Sequence, residues 1–239
     1  MKYLDLTLPT PHENLACDEA LLDSCEEGFS HEILRLWEPR EYFVVLGYSN
    51  KAKTEVLLSS CKRHRIPVLR RPSGGGTVLQ GPGCLNFSLI LKIPESGPLK
   101  NLAGTNRHIM ESHKKAFEPL LKKELKIQGT SDLTLNNLKF SGNAQRRKRS
   151  FFLFHGTFLL DFDIPLIGKF LKMPSKEPDY RRERPHTEFL TNLYLSSSKI
   201  KKAIRDCWEA ASLLKSIPQK KIEELVREKY LRDSWNLKF

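Results

Sequence analysis

Two arginines, Arg70 and Arg71, stand immediately before a run of three glycines in the stretch RRPSGGGTV. Glycine lacks a Cβ, so a glycine run lets the backbone adopt positive φ and lets a ligand approach the main chain closely. Successive exposed N–H groups can then form a concave site for an anion, and arginine adds forked, charged donors suited to phosphate or carboxylate. The stretch indicates an anion site, although a tight turn flanked by solvated arginines remains an alternative. No GxxxxGK[ST] or GxGxxG pattern names the anion.

A second segment with residues that could take part in catalysis or binding is KFSGNAQRRKRSFFLFHGT, residues 139–157. Lys139 begins it in an apolar-flanked run that predicts a strand. A lysine on a strand that faces a cleft can stabilise a developing oxyanion or a phosphate oxygen. Most lysines instead lie at the surface with their stems packed on apolar groups. His155 interrupts an apolar run, which is typical of a core histidine, and the charged run 146–149 is typical of a solvated loop. From these residues alone, both interpretations of the segment stay open.

The elements that must position these residues are predicted from the hydrophobic patterning. Apolar positions at intervals of four indicate helices, and alternating or short continuous apolar runs indicate strands. The patterns predict helices over 14–27, 107–121, 198–214 and 219–231, and strands over 43–46, 86–93 and 151–162. The residues Ser141-Gly142-Asn143-Ala144 are predicted to break the strand that holds Lys139. Strands dominate the middle of the chain and helices its two ends, so the order favours an α+β fold.

Composition excludes several classes of protein. The chain has 239 residues, 39% hydrophobic and 28% charged, which is typical of a soluble globular protein with a full core. No run approaches the roughly 20 apolar residues of a membrane span, and the N-terminus lacks the apolar core of a signal peptide. Five scattered cysteines without CxxC spacing indicate free thiols in a reducing cytosol. We therefore predict a cytoplasmic protein without membrane contact.

The formal charge of +12 favours acidic or polyanionic partners. A basic nucleic-acid-binding protein is the non-enzymatic alternative. The basic run 146–149 carries no interleaved aromatic residues, and the chain contains no nucleic-acid recognition motif. We therefore expect no nucleic-acid partner.

Taken together, the motifs resemble the lipoate–protein ligase A family, which belongs with biotin ligases and octanoyl transferases. The resemblance covers about residues 1–195 in the family's order. It is carried by NLACDEALL, LRLWEPREYFVVLGYSN, RRPSGGGTV, GTSDLTL, LKFSGNAQ, HGTFLLDFD and RPHTEFLTNL. It implies an α+β catalytic domain with a mixed or antiparallel central β-sheet flanked by helices, of the biotin/lipoate ligase (class II synthetase-like) type.

The resemblance implies an ATP-dependent ligase that converts lipoate to lipoyl-AMP and transfers the acyl group to one lysine of an acceptor protein. ATP and Mg²⁺ are the co-substrate and activator, lipoate is the substrate, and no tightly bound cofactor is expected. The implied partners are acidic lipoyl domains, either E2 subunits or carriers like the H protein. Such partners would also explain the basic charge of the chain.

The resemblance also assigns roles to residues. Lys139 is implied to hold the reacting carbonyl and phosphate electrostatically and not as a covalent nucleophile. Asp132 is implied to lie near the adenylate and Mg²⁺. The remaining substrate-binding and ATP-binding residues are expected to be Arg70, Arg71, Ser73, Gly74, Gly75, Gly76, Thr77, Val78, Gly83, Cys84, Asn86, Ser141, Gly142, Ala144, His155, Gly156 and Thr157.

Some positions depart from the ligases. Gln80 replaces a histidine, Cys84 lies where the ligases have asparagine, and Tyr48 stands where they commonly have arginine. Transferases of this superfamily use a cysteine nucleophile and no ATP. The two segments in which transferases carry that cysteine, 120–138 and 158–175, contain none here, so only Cys84 could serve. An ordinary bystander thiol is the better interpretation, and the sequence favours the ligase. The alternative is an ATP-independent octanoyl or lipoyl transferase that acts from a carrier-protein thioester.

We predict one catalytic domain over residues 1–239, with 196–239 as its helical tail. Many lipoate–protein ligases carry a C-terminal accessory domain of about a hundred residues, within the usual size range of domains. The last family motif here is followed only by the tail. The prediction is therefore that a separate accessory subunit supplies the function, or that none is needed.

Overall fold

The computed structural model describes residues 1–239, which form eleven strands and nine α-helices. The strands are β1 (Lys2–Asp5), β2 (Ile33–Trp37), β3 (Phe43–Leu46), β4 (Val68–Arg70), β5 (Val78–Gln80), β6 (Cys84–Lys92), β7 (Lys126–Gln128), β8 (Asp132–Leu135), β9 (Leu138–Arg147), β10 (Phe151–Leu159) and β11 (Ser212–Leu213). The helices are α1 (Pro11–Glu26), α2 (Ala52–Glu55), α3 (Leu58–Arg63), α4 (Leu102–Leu121), α5 (Leu166–Phe170), α6 (His186–Phe189), α7 (Ser197–Cys207), α8 (Gln219–Leu225) and α9 (Asp233–Asn236). Short 3₁₀ turns lie at Pro98–Lys100 and Asp179–Arg181, and a π-helical turn at Val226–Tyr230.

The strands form two sheets. The larger has eight strands in the order β11-β1-β2-β6-β10-β9-β8-β7. In it β1 runs parallel to β11 and β2, and all other neighbours are antiparallel. The smaller sheet has the order β4-β3-β5, with β3 parallel to β4 and antiparallel to β5. The predicted α+β class, a mixed sheet flanked by helices, is confirmed.

The register of β10 determines which residues meet at the centre of the large sheet. This strand pairs with β6 on one side and with β9 on the other. His155 lies opposite Ser88 of β6 and Ala144 of β9. Successive side chains of a strand point to opposite faces. The register therefore places several predicted site residues from three strands side by side.

Helix α1 has strong local signals at its start. Thr10 accepts a hydrogen bond from the Glu13 N–H (3.2 Å), and the Glu13 carboxylate accepts one from the Thr10 N–H (2.8 Å). This reciprocal capping box satisfies two N–H groups that a helix otherwise leaves unpaired, and Pro11 is suited to the first helical position. Its buried face includes Cys17, Leu21 and Cys25, the residues whose spacing predicts the helix.

Apolar side chains form three clusters, two of which pack around the large sheet. One contains Phe87, whose ring stacks on Phe158 with centroids 4.9 Å apart. The other contains Leu21 of α1 and Ile33 of β2. The third lies beside the small sheet and includes Cys84. Each fully buried side chain of this size stabilises the fold by about 1.5–3 kcal/mol, so the strands that carry the site are anchored on both faces.

Every helix and strand that the sequence predicts is present, most with bounds within a few residues, and two differences have physical causes. Strand β9 continues through 141–144, where we predict a break, because this stretch pairs with β10 along its length. The helix predicted over 198–214 ends at Cys207, since Ser212 and Leu213 pair with β1 as an edge strand. Tertiary pairing overrides local propensity at both places. No helix is long and apolar enough to cross a membrane.

His113 of α4 is fully buried among aromatic rings, and its Nε2 accepts a hydrogen bond from the Trp208 indole (2.9 Å). Burial lowers its pKa to about 3. The unfolded chain binds a proton below about pH 6.5 and the folded chain does not, so the free energy of unfolding falls as the pH decreases below that value. We expect a loss of about 2 kcal/mol from this residue between pH 6.5 and 5.

Urea unfolding at several pH values measures this contribution. The His113→Phe variant should have a shallower decline than the parent over the same range, whatever its absolute stability. Equal slopes in the two proteins would show that other groups cause the decline.

Candidate active site

A cavity of about 730 Å³ opens between the small sheet, strands β9 and β10 of the large sheet, and the segment 172–190. Most of the predicted site residues line it. They are Arg71, Gly75, Gly76, Thr77, Val78, Asn86, Asp132, Lys139, Ser141, Gly142, Ala144, His155, Gly156 and Thr157. Five others do not line it, namely Arg70, Ser73, Gly74, Gly83 and Cys84. The glycine-run motif and the segment 139–157, which are far apart in the chain, therefore face the same cavity.

Lys139 projects from β9 into the cavity. Its Nζ lies 2.9 Å from Asp132 Oδ1, and the Tyr180 hydroxyl donates to Asp132 Oδ2 (2.8 Å). The lysine side chain keeps a quarter of its surface exposed. Burial raises the pKa of Tyr180, with the Asp132 charge acting in the same direction, so Tyr180 stays a hydrogen-bond donor. The arrangement holds an ammonium group in place and leaves donors of Lys139 free for a ligand oxygen.

Gly142 makes room for this lysine. A Cβ built at Gly142 would lie 2.9 Å from both Cε and Nζ of Lys139. Strand β9 thus places a residue without a side chain next to the ammonium group. A side chain at this position would displace the ammonium group from where it now lies.

The glycine loop presents a row of unpaired donors. The backbone N–H groups of Gly74, Gly75, Gly76 and Thr77 donate to no protein acceptor, and the three glycines are exposed. Gly75 has φ +86°, a conformation that favours glycine. Consecutive free N–H groups of this kind suit an anion, and three of these four residues line the cavity.

Arg71 braces the glycine loop. Its Nη2 donates to the carbonyl oxygens of Gly74 (2.7 Å) and Gly76 (2.8 Å), and its Nε donates to Ser73 Oγ (3.1 Å). Burial lowers the pKa of Arg71 to about 10, so it is charged at neutral pH. Its donors are largely used by the loop itself. The loop N–H groups, more than the arginine, are therefore free to contact a ligand.

Arg70, which we predict to bind the anion, points away from the cavity. Its Nη1 donates to three backbone carbonyls, those of Gly47 (2.8 Å), Tyr48 (2.9 Å) and Asn50 (2.8 Å). The Nε of Arg70 donates to the backbone oxygen of Trp235 (3.2 Å). Arg70 thus joins the 47–50 loop to α9, which is a structural role.

His155 of β10 lies in a buried polar chain. Its Nε2 is 2.6 Å from Ser73 Oγ, and its Nδ1 is 3.9 Å from Asp18 Oδ2. Asp18 also accepts hydrogen bonds from Arg35 (2.6 Å) and Ser88 (2.7 Å). Burial lowers the pKa of His155, and the Arg71 charge adds to this against the opposing effect of Asp18. Burial opposes ionisation of Asp18, yet Arg35 and its hydrogen bonds hold its pKa below the usual value.

Gln80, the residue that departs from the ligases, belongs to a closed ring of side chains. Its Nε2 donates to Thr157 Oγ1 (2.6 Å), the Thr157 hydroxyl donates to Asn86 Oδ1 (2.5 Å), and Asn86 Nδ2 donates to Gln80 Oε1 (3.1 Å). All three residues line the cavity. Because these polar groups satisfy one another, this part of the wall is compatible with an apolar ligand.

None of the five cysteines lines the cavity. Cys84 is buried in the third apolar cluster, where burial raises its pKa to about 12. Cys17 is also fully buried, and burial raises its pKa to about 11. A thiol with a raised pKa is a poor nucleophile because the thiolate is the reactive form.

Sequence reasoning missed part of the site. Asp18 lies in α1 and lines the cavity. The one indication of this in the sequence is that an acidic residue stands among apolar helix positions. The segment 172–186 also lines the cavity through Lys172, Lys176 and Arg181. Its basic residues, which lie between two family motifs, could have indicated that the segment contributes to an anion site. Lys176 is exposed and forms no salt bridge, so its charge is free for an anion.

A metal could use only part of this site. No group of three His, Cys, Asp or Glu residues is arranged to hold an ion. Mg²⁺ that binds with nucleotides usually takes one or two carboxylates and completes its shell with phosphate oxygens and water. The Asp132 carboxylate suits such a shared ion, although Lys139 and Tyr180 now contact it.

The sequence profile of the Lipoyl protein ligase A/B catalytic domain matches residues 10–205. The chain belongs to this family. The matched region contains every predicted site residue. The family includes both ligases and acyl transferases among the relatives of this chain.

Curated relatives of both kinds are similar to the chain. Octanoyltransferase LipM of Geobacillus kaustophilus is 26% identical over 99% of this chain and 98% of its own length. Octanoyltransferase LipM of Carboxydothermus hydrogenoformans is 29% identical over 100% of this chain and 98% of its own length. A protein named probable lipoate-protein ligase A of Mycoplasma pneumoniae is 31% identical over 81% of this chain and 58% of its own length.

Solved structures share the fold. The bi-partite lipoate protein ligase of Thermoplasma acidophilum, studied with its E2 lipoyl domain, superposes with a TM-score of 0.84 at 22% identity, over 99% of this chain and 95% of that one. A lipoate-protein ligase A bound with ATP superposes with a TM-score of 0.82 at 22% identity, over 99% of each chain. The fold is therefore that of the lipoate protein ligases.

Proposed function

We propose that the protein is an ATP-dependent lipoate–protein ligase, which forms lipoyl-AMP and transfers the acyl group to a lysine of a lipoyl domain. The observation that carries the proposal is the absence of any cysteine from the cavity wall. A transferase of this superfamily needs a thiolate there, whereas a ligase activates the acid with ATP. The free N–H groups, Lys139 and Lys176 are what a reaction through phosphate oxygens requires.

Each part of the cavity has a task in this reaction. The acyl chain lies against apolar side chains such as Trp37, Leu79 and Phe87. The loop N–H groups and Lys176 bind carboxylate or phosphate oxygens. Lys139 stabilises the oxygen on which negative charge develops when the carbonyl is attacked. Asp132 would hold the Mg²⁺ that accompanies ATP, and the ion would neutralise phosphate charge there.

The acceptor is proposed to be an acidic lipoyl domain of an E2 subunit or of an H-protein-like carrier. The formal charge of +12 favours such a partner. The bi-partite Thermoplasma ligase was studied with its E2 lipoyl domain, which supports the same class of acceptor. A cytoplasmic location completes the proposal, together with an accessory function that either a separate subunit supplies or the protein does not need.

Octanoyl transfer from a carrier-protein thioester is the second candidate. It is favoured by the curated relatives named octanoyltransferase LipM, which match this chain over nearly its whole length. The two candidates share an acceptor lysine and differ in the acyl donor and in the need for ATP.

Intact-mass measurement of a lipoyl-domain acceptor distinguishes them. The acceptor is incubated with the protein, Mg²⁺ and lipoate, with and without ATP, and separately with octanoyl-loaded carrier protein. A lipoyl mass increase that requires ATP supports the ligase. An octanoyl increase from the thioester without ATP contradicts it and supports the transferase.

The Cys84→Ser variant tests the thiol directly. We expect acyl transfer to stay within about twofold of the parent, because the thiol is buried outside the cavity with a raised pKa. Transfer rates at saturating substrate measure the effect. A loss of a hundredfold or more, with an unchanged melting temperature, would show that Cys84 is a nucleophile.

A further inference from the structure

Three polar side chains, two of them buried, connect parts of the fold that are remote in sequence. Asp18 comes from α1, His155 from β10, and Ser73 from the loop that follows β4. The ring of His155 lies between the other two, 2.6 Å from Ser73 Oγ and 3.9 Å from Asp18 Oδ2. Asp18 and Ser73 are almost fully buried, with relative exposures of 3% and 1%. Ser73 does not line the cavity, so this chain does not present the serine as a nucleophile.

The hydrogen bonds determine which ring nitrogen carries the proton. Arg71 Nε can only donate, so Ser73 Oγ accepts from it (3.1 Å). The Ser73 hydroxyl makes no hydrogen bond to an acceptor other than His155 Nε2, so a proton on Nε2 would leave this buried hydroxyl hydrogen unpaired. This hydrogen-bond pattern therefore favours a neutral imidazole with its proton on Nδ1, on the side of Asp18.

Ser73 connects the histidine to the anion site. Its backbone oxygen accepts from the Tyr48 N–H (2.8 Å), and its hydroxyl contacts the Arg71 guanidinium. That guanidinium binds the carbonyl oxygens of Gly74 and Gly76. With these carbonyls turned toward the arginine, the N–H groups of the following peptide units are turned away from it. The Ser73 hydroxyl is therefore one of the contacts that position the arginine and, through it, the loop donors.

We propose that His155 is a positioning residue whose neutral ring holds the glycine loop in its anion-binding form, so that protonation of the ring disables the loop. A protonated imidazole carries a proton on Nε2, so it can only donate to Ser73 Oγ, which already accepts from Arg71, and the Ser73 hydroxyl hydrogen loses its acceptor. It also places a second cation beside Arg71. The charged groups that face the ring are Asp18 from α1 and Arg71 from the loop, with Arg35 of β2 behind Asp18. The proposal deepens the proposed function, since it rests on the loop as the site for substrate oxygens.

Three variants separate this role from ordinary packing. His155→Gln places an amide oxygen near the position of Nε2 and does not titrate. His155→Leu fills the space without an acceptor. His31→Gln is the control, because His31 is exposed, does not line the cavity and contacts the ring of Phe29. Inorganic pyrophosphate is the probe, and its affinity is measured by calorimetry for each protein from pH 8 to pH 5.

We expect His155→Leu to bind pyrophosphate at least about tenfold more weakly than the parent at pH 8, and His155→Gln to bind within about threefold. As the pH falls below 6, the parent should weaken relative to His155→Gln, and His31→Gln should follow the parent. Comparing proteins at the same pH cancels the ionisation of pyrophosphate itself. Nitrogen-15 NMR of the histidine ring should show a neutral form with its proton on Nδ1 at pH 8.

Unchanged affinity in His155→Leu would overturn the proposal, as would a parent and a His155→Gln variant that weaken in parallel. A His155 ring that is charged at pH 8 would also overturn it. None of these readouts requires acyl transfer, so a failure here is distinguishable from a failure of the ligase assay.

Discussion

Replacing Lys139 with methionine is expected to lower the rate of acyl transfer by a factor of about 10²–10³, the effect typical of losing one preorganised oxyanion donor. Methionine keeps much of the length and apolar volume of the lysine stem but removes the charge. The lysine lines the cavity, keeps donors free, and is held by Asp132 (2.9 Å). Its loss should therefore affect the reaction much more than the fold.

The measurement is the single-turnover rate of acceptor modification, with the melting temperature recorded for each protein. Lys126→Met is a matched control, since Lys126 is an exposed lysine of strand β7 in the same sheet and does not line the cavity. The single variant leaves the Asp132 carboxylate without its cation. The double variant Lys139→Met with Asp132→Asn also removes that carboxylate, so it separates the loss of the Lys139 donor from the effect of an unpaired negative charge. A Lys139→Met protein with more than a tenth of the parent rate would contradict the role of Lys139.

Most of the site residues that the family motifs predicted do line the cavity. Lys139, Gly142 and His155 come from motifs that are close in sequence, and the antiparallel pairing of β9 with β10 brings them together. A glycine run followed by a strand also indicated the loop. In these cases the information is local, or is carried by strands adjacent in the chain.

The roles of the two arginines could not be predicted in the same way. Arg70 ends strand β4 and Arg71 follows it, and neighbouring residues of an extended chain point in opposite directions. Which one faces the cavity depends on the packing of the small sheet and on α9, whose Trp235 oxygen binds Arg70. The sequence shows that two arginines are adjacent, but it does not show in which direction either side chain points.

Asp18 shows a second limit. Its partners Arg35, Ser88 and His155 lie on three different strands. An isolated acidic residue in an apolar helix face indicates a buried pair, but the partner is known only once the helix has packed on the sheet. Such a buried pair depends on contacts across the fold that no local pattern records, and loss of one partner would leave an unpaired buried charge.

The glycine loop provides the second large expected effect. Gly75→Ala should lower kcat/KM by about 10–100-fold. Gly75 has φ +86°, and a Cβ there would lie 2.9 Å from Arg71 Nη2. The guanidinium cannot simply move aside, because the same Nη2 binds the carbonyls of Gly74 and Gly76. An L side chain in this backbone conformation also costs about 1–2 kcal/mol, so the loop should shift and its N–H groups should lose their common direction.

Gly74→Ala is the matched comparison from the same run. A Cβ at Gly74 meets nothing within 4 Å, and its φ lies outside the range that L residues rarely adopt. We expect kcat/KM to change by less than about threefold, although the two variants add the same methyl group one residue apart. Steady-state kinetics with varied ATP measures both. A similar loss in the two variants would show that the run is needed for flexibility in general, and equal activity would show that the orientation of the Gly75 peptide is unimportant. The contrast between adjacent residues therefore tests the geometry of the loop more directly than deletion of any side chain could.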